Sequence, residues 1–326
     1  MLILLGIGAA GVAGAAVWAW QRLHAPGPLD EARIYVVPRG AGLNAIARGL
    51  EEAGILREKR LFLFYARWRK VHRSLQAGEF EFEAHASAAD VLATLLEGKP
   101  VLRFVTVPEG LTSREAVALI DAAAGLTGAS EIPPDGSILP ETYTFSLNED
   151  RAALLDRMQA AMRRTLDELW SRRADDLPFS TPEEAVTLAS IVEKETGLPE
   201  ERPRVAAVFV NRLRKGMRLQ SDPTVIYAIT RGERELDRPL RFKDLEIDDP
   251  YNTYRVKGLP PGPICNPGRA SLEAVLNPID TKEFYFVADG TGGHVFAKTL
   301  EEHNRNVAEW RKIQRDQRRK ARQQRQ

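Results

Sequence analysis

A mixed α+β protein carried on a single N-terminal transmembrane helix is what the sequence predicts, with a small βααβ module followed by a larger mixed α/β domain. Three observations carry that reading. The chain opens on an uninterrupted apolar run. Beyond it, short runs with a period of two residues alternate with segments of helical period. Stiff Pro- and Gly-rich stretches punctuate both. With 326 residues, 28% charged and 44% hydrophobic, the chain is long enough for two domains.

Met1 to Trp20 reads MLILLGIGAAGVAGAAVWAW and holds no charged side chain. As a helix it would span roughly 30 Å, the thickness of a bilayer core. Trp18 and Trp20 close the run and Arg22 and His24 follow, as at a membrane–water interface. Residues 1–20 are therefore expected to be an anchor and 21–32 a linker, stiffened by Ala25-Pro26-Gly27-Pro28.

The module is expected over 33–100. Ile34-Tyr35-Val36-Val37 reads as a strand that ends in the turn Pro38-Arg39-Gly40. Leu43, Ile46, Ala47 and Leu50 stand at helical spacing, and Leu61, Phe62, Phe64 and Tyr65 mark a second helix. Leu75 to Phe82 alternates like a strand. Ser87 should cap a further helix that Gly98 stops. The larger domain, 101–312, starts with the strand at Phe104 to Val107. A helix follows from Thr112 or Ser113, then a proline-rich loop, then a long amphipathic helix with Leu154, Leu155, Met158, Met162, Leu166 and Trp170 on one side.

The formal net charge of +1 names no partner and argues for no nucleic acid. The charge is unevenly spread. Arg311 to Gln326 holds eight Lys or Arg against one Asp, so 313–326 reads as a basic tail too polar to bury a core. Cys265 is the only cysteine, which excludes an intramolecular disulfide and a thiolate metal cluster.

The chemistry is concentrated after residue 180. Thr181, Pro182 and Glu184 open a helix as cap, first-turn proline and capping-box partner. Ala185, Leu188, Ala189 and Val192 define its apolar stripe. Glu193 and Glu195 flank that stripe on opposite sides. A carboxyl held against apolar neighbours favours its neutral form, which a general acid requires. The helical wheel does not choose between the two glutamates. Further on, Met217 to Tyr227 gathers polar groups before a helix start, where Asp222 could serve as a simple cap. Pro250 to Tyr254 and Gly258 to Gly268 form rigid irregular loops whose aromatic and amide side chains suit sugar faces.

At these residues the chain resembles the endolytic murein transglycosylases, the MltG-like or YceG-like family. The strongest match is Ala189-Ser190-Ile191-Val192-Glu193-Lys194-Glu195. It is joined by Asn211-Arg212-Leu213, Met217 to Tyr227, Tyr251 to Tyr254, Gly258 to Gly268 and Thr299 to Asn304. The resemblance covers nearly the whole chain. Two departures are Ile138-Leu139-Pro140-Glu141-Thr142-Tyr143, where the family more often has Phe-Pro-Asp-Thr-Tyr, and Gly42, where Ser or Thr is usual.

The resemblance implies an inner-membrane anchor, a LysM-like module over 33–100 and a periplasmic catalytic domain over 101–312. It points to Glu193 as the catalytic glutamate, with Gln220, Asp222, Tyr227, Asn252, Tyr254 and Asn266 as substrate-binding residues. It implies cleavage of the β-1,4 bond between N-acetylmuramic acid and N-acetylglucosamine with formation of 1,6-anhydro ends. Endolytic cutting, the ending of nascent strands and contact with cell-wall synthases come from the same source. No metal or organic cofactor is implied, and His294 and His303, which lack ligand spacing, read as structural or turn residues. Arg22, on the far side of the anchor, counts by the positive-inside rule against an extracytoplasmic body. The alternatives are a two-carboxylate muramidase pairing Glu193 with Glu195 or Asp222, a non-catalytic wall-binding scaffold, and a pyridoxal-phosphate lyase built on Lys194.

Overall fold

The structure, a computed structural model, describes residues 2–38, 40–99 and 101–323. It divides into two compact units. The first comprises residues 1–104 with 144–149, and the second 105–143 with 150–326.

The first unit opens with α1 (Leu2–His24). The side chains of residues 1–12, most of the expected span, lie outside the described residues. Among the described residues no helix is long and apolar enough to cross a membrane. Next come β1 (Arg33–Val37), α2 (Leu43–Glu52), α3 (Lys59–Trp68) and β2 (Gly78–Phe82). The strands pair antiparallel, with Arg33 opposite Phe82 and Val37 opposite Gly78. This is the strand–helix–helix–strand order that the alternating periods predict. The helix α4 (Ala88–Glu97) follows, and Ser87 caps it through a reciprocal box with Asp90. Ile46, Leu50, Phe62, Phe80, Phe82, Val91 and Leu92 meet in one core.

Strict alternation along β2 would put Glu79 outside with Glu81, yet it is buried. Arg103 makes this tolerable by bonding both its carboxylate oxygens, at 2.9 and 3.3 Å.

The chain enters the second unit along β3 (Arg103–Thr106). There follow α5 (Ser113–Ala122), the short strands β4 (Leu126–Thr127), β5 (Thr142–Phe145) and β6 (Glu149–Asp150), and the long α6 (Arg151–Ser171). Thr112 caps α5 with Glu115 as its box partner. Beyond α6 stand α7 (Pro182–Glu195), α8 (Arg202–Arg214), α9 (Asp222–Thr230), a 3-10 turn (Phe242–Glu246) and α10 (Arg269–Leu276). A hairpin, β7 (Tyr285–Ala288) with β8 (His294–Ala297), precedes α11 (Leu300–Gln323). The expected basic tail thus continues as helix to Gln323, and residues 324–326 lie outside the described residues.

Helix α7 is the axis of this unit. A buried stripe was the expectation, but every residue from Ala185 to Val192 is buried. The cause is packing: α6, α8, α9 and α10 all contact α7. The two small hydroxyls in the run are satisfied locally. Thr187 donates to the Glu183 carbonyl at 2.9 Å, and Ser190 donates to that of Thr187 at 2.7 Å while accepting the Ile264 N–H at 3.0 Å. An otherwise apolar run with its polar atoms paired can be enclosed on all sides.

Phe62 is fully buried in the first unit. Phe62→Ala should cost about 3–5 kcal/mol through lost burial and the cavity left behind. Denaturant unfolding of the purified chain measures this; a loss under 1 kcal/mol would show that the module core is not packed as described.

Candidate active site

Three consecutive residues leave the last turn of α7 in three directions. Glu193 turns inward, and its side chain is only 5% exposed. One carboxylate oxygen meets Arg202 at 3.3 Å, and the other accepts the N–H of Gly268 at 2.9 Å. Gly268 is the N-cap residue of α10 and has no side chain to cap it. Glu193 therefore supplies the acceptor and negative charge that a helix N-terminus favours. The same corner holds Glu109, 3.5 Å from Arg202. Burial and the Glu193 charge raise the Glu109 carboxyl above its usual range, with Arg202 opposing. A Cβ at position 268 would overlap the Glu109 carboxylate, which explains the glycine there. Lys194 points elsewhere, donating to the Gly110 carbonyl at 3.2 Å and lining a 380 Å³ cavity.

Glu195 faces a different space, a cleft of 530 Å³. Arg212 of α8, Leu219, Gln220 and Asp222 line it, with Tyr254, the β7 residues Tyr285, Phe286 and Val287, and Leu300, His303, Asn304 and Val307 of α11. Burial pushes the Glu195 carboxyl up to about 7, and the Asp222 charge adds to the rise. The Ser221 hydroxyl, at 2.5 Å from Oε1, acts against it. Behind Ser221 lies a buried network. Its N–H donates to Thr253 Oγ1 at 3.0 Å, and Thr224 Oγ1 lies 2.7 Å from the Ser221 carbonyl and 2.8 Å from Thr253 Oγ1. With all these partners present, the Ser221 hydroxyl has little freedom to leave Glu195.

The sequence-predicted residues part company here. Gln220, Asp222 and Tyr254 line the cleft with Glu195. Gln220 has φ +52°, a left-handed conformation unusual for a residue with a side chain. Its N–H is held by the Thr253 carbonyl at 3.1 Å. Asp222 is not the helix cap; Ser221 occupies that position, and Asp222 Oδ1 instead accepts the Tyr254 hydroxyl at 2.7 Å. Burial and this carboxylate raise the Tyr254 phenol above its ordinary range.

Four expected residues lie away from the cleft. Glu193 is buried with both oxygens engaged as described, and it does not line the cleft. Asn252 is 0% exposed, donating to the carbonyls of Leu245 and Ile247 and accepting the Tyr254 N–H. Asn266, also 0% exposed, accepts the Ile138 N–H and donates to the Leu111 carbonyl. Both amides are used up in holding loops. Tyr227 donates to Asp135 at 2.7 Å and lines the Lys194 cavity. Sequence reasoning missed Tyr285 and Ser221 as parts of the site. It read His303 as structural, although His303 belongs to the Thr299 to Asn304 match and stands in the cleft wall.

The fold and cleft define a mixed α/β protein with a desolvated carboxyl, Glu195, beside a cleft lined by polar and aromatic side chains. The chain belongs to the YceG-like family, whose sequence pattern matches residues 35–309. It is 31% identical to the endolytic murein transglycosylase of Bacillus subtilis, over 82% of either chain. It is also 31% identical to the endolytic murein transglycosylase of Streptococcus pneumoniae serotype 2, covering 86% of this chain and 60% of that protein. A crystal structure of a YceG-like protein from Listeria monocytogenes is similar, with a TM-score of 0.51 and 31% identity, over 85% of this chain and 99% of that one.

The two glutamates should respond oppositely to amide substitution. Glu195 titrates near 4.5 when unfolded and about 7 when folded, so the folded state gains on protonation. Its contribution is fully present below pH 4.5 and lost as pH rises through 7. Glu195→Gln removes that loss, and thermal unfolding at pH 8 should show a gain of up to about 3 kcal/mol that vanishes near pH 4. Glu193→Gln leaves Arg202 without its closest carboxylate and should cost about 3 kcal/mol at neutral pH. Equal effects of the two substitutions would contradict these environments.

Proposed function

We propose that this chain is a membrane-anchored lytic transglycosylase that cuts peptidoglycan glycan strands internally, with Glu195 as the catalytic residue. The observation that carries the reading is a desolvated carboxyl, raised to about 7, in the wall of a large polar and aromatic cleft. The names of the relatives supply the substrate class. The bond is the β-1,4 linkage between N-acetylmuramic acid and N-acetylglucosamine. Protonated Glu195 gives its proton to the glycosidic oxygen as the bond from the muramyl anomeric carbon breaks. The resulting carboxylate takes the proton of the muramyl C6 hydroxyl, whose oxygen bonds to that carbon. Glu195 is restored, no water is added, and the new end is a 1,6-anhydro sugar. One carboxyl suffices because the substrate brings its own nucleophile, whereas glycosidases usually need two. Ser221 holds the acid in place. Asp222, held by Tyr254, contributes negative charge to the same cleft as the anomeric carbon becomes cationic.

The proposal includes a single-pass anchor at residues 1–20 in the inner membrane, a periplasmic catalytic domain, and a LysM-like module formed by β1, α2, α3 and β2. It includes the ending of nascent strands beside cell-wall synthases. The apolar opening of the chain and the paired β1–β2 ends of the module support these parts. A second reading, a muramidase pairing Glu195 with Asp222, is favoured by their sharing one cleft.

Mass spectrometry of muropeptides released from sacculi by the full chain distinguishes them. Ends one water lighter than hydrolysed ends, absent with Glu195→Gln, are expected. Ordinary reducing ends would establish the muramidase. Loss of cutting by a folded Glu193→Gln, with Glu195→Gln still active, would return the role to Glu193. Because the acid must be protonated, kcat should fall about tenfold per pH unit above pH 7. A flat profile to pH 9 would contradict Glu195 as the acid.

A further inference from the structure

His303 stands on the first turn of α11, in the wall of the cleft that holds Glu195. Its imidazole stacks on the Tyr285 ring, with centroids 5.1 Å apart and planes 23° apart. Nδ1 is shut off from solvent and has no hydrogen-bond partner among the described residues. The ring lines the cleft, and with Nδ1 enclosed, Nε2 is the remaining polar atom through which it can meet an occupant. A buried N–H without an acceptor is among the rarest and costliest arrangements in proteins, so the ring proton belongs on Nε2. A second proton would have to enter at Nδ1, where no acceptor waits. Burial and the positive charge of Arg212 both push the imidazole below its ordinary range, which keeps it neutral. Arg212 itself is committed to the backbone, bonding the carbonyls of Phe284 and Leu219 at 2.6 Å each.

A neutral donor on an aromatic wall suits a neutral acceptor with apolar substance beside it. Along a glycan strand that description fits the acetamido group, whose carbonyl is the strongest neutral acceptor and whose methyl can lie against a ring. We propose that His303 is a substrate-binding residue that donates from Nε2–H to the carbonyl oxygen of an N-acetyl group in the Glu195 cleft. The inference rests on the glycan-cleaving reading above and assigns that cleft a means of recognising N-acetylation.

The experiment measures binding of peptide-free glycan strands to the detergent-solubilised full chain in the Glu195→Gln background, so that strands are not consumed. Native and chemically de-N-acetylated strands are compared. His303→Ala should weaken binding of native strands about five- to tenfold and leave de-N-acetylated strands unaffected, the size expected of one neutral hydrogen bond. His303→Gln, whose amide nitrogen reaches the position of Nε2, should restore most of the loss. His303→Asn, whose nitrogen reaches only that of Nδ1, should not. Nitrogen-15 NMR of the free protein should show the Nε2–H tautomer at neutral pH. An Nδ1–H tautomer, equal weakening for both strands, or no rescue by glutamine would overturn the assignment. If the Glu195→Gln chain with His303 intact binds neither strand, the glycan reading fails and takes this inference with it. Binding of native strands that is unaffected by His303→Ala overturns the inference alone.

Discussion

Complete burial of α7 between Ala185 and Val192 is the constraint on which the second unit depends. Neighbouring helices contact it on all sides, so its last turn cannot rotate without breaking the packing of the whole core. Side chains 193, 194 and 195 leave that turn about 100° apart, as helix geometry requires. One therefore enters an ion pair with Arg202, the next reaches a loop carbonyl, and the third enters the cleft. The Glu-Lys-Glu triplet thus combines a structural tie, a loop contact and a cleft carboxyl.

The two carboxylates show how neighbours set chemistry. Glu193 lies at a helix N-terminus beside a guanidinium, and both its oxygens have partners. Glu195 is offered one hydroxyl and faces a nearby aspartate. The same residue type, two positions apart on one helix, becomes a tie in one case and a desolvated cleft carboxyl in the other. The Ser221–Thr224–Thr253 network matters because a desolvated carboxyl with freedom to move would find water or a cation.

Much of the architecture was legible in the sequence. A short apolar run marked β1 and an alternating one β2, the Ser87 cap and the Thr181–Glu184 capping box marked the starts of α4 and α7, and prolines and glycines marked the rigid loops between 250 and 268. Glu79 broke the alternation because its partner, Arg103, comes 24 residues later, a distance that local pattern does not reach. Asn252 and Asn266 looked like ligand amides because an amide in a rigid loop reads the same whether it faces a sugar or its own backbone. Only the count of its hydrogen bonds tells the two apart.

By itself, the sequence determined where β1, β2, α2, α4, α5 and α7 fall, that α7 carries apolar residues along most of its length, that two glutamates flank its end, and that the chain resembles one family throughout. These are properties of residue type and spacing, which local propensity and burial reward directly. Tertiary structure alone decided which glutamate meets the cleft, because that depends on what α8, α10 and β7 bring to either side of α7. It also decided that His303, more than one hundred residues from Glu195, shares its cleft. Desolvation and hydrogen-bond satisfaction belong to the assembled surroundings of an atom, and those surroundings come from segments far apart in the chain.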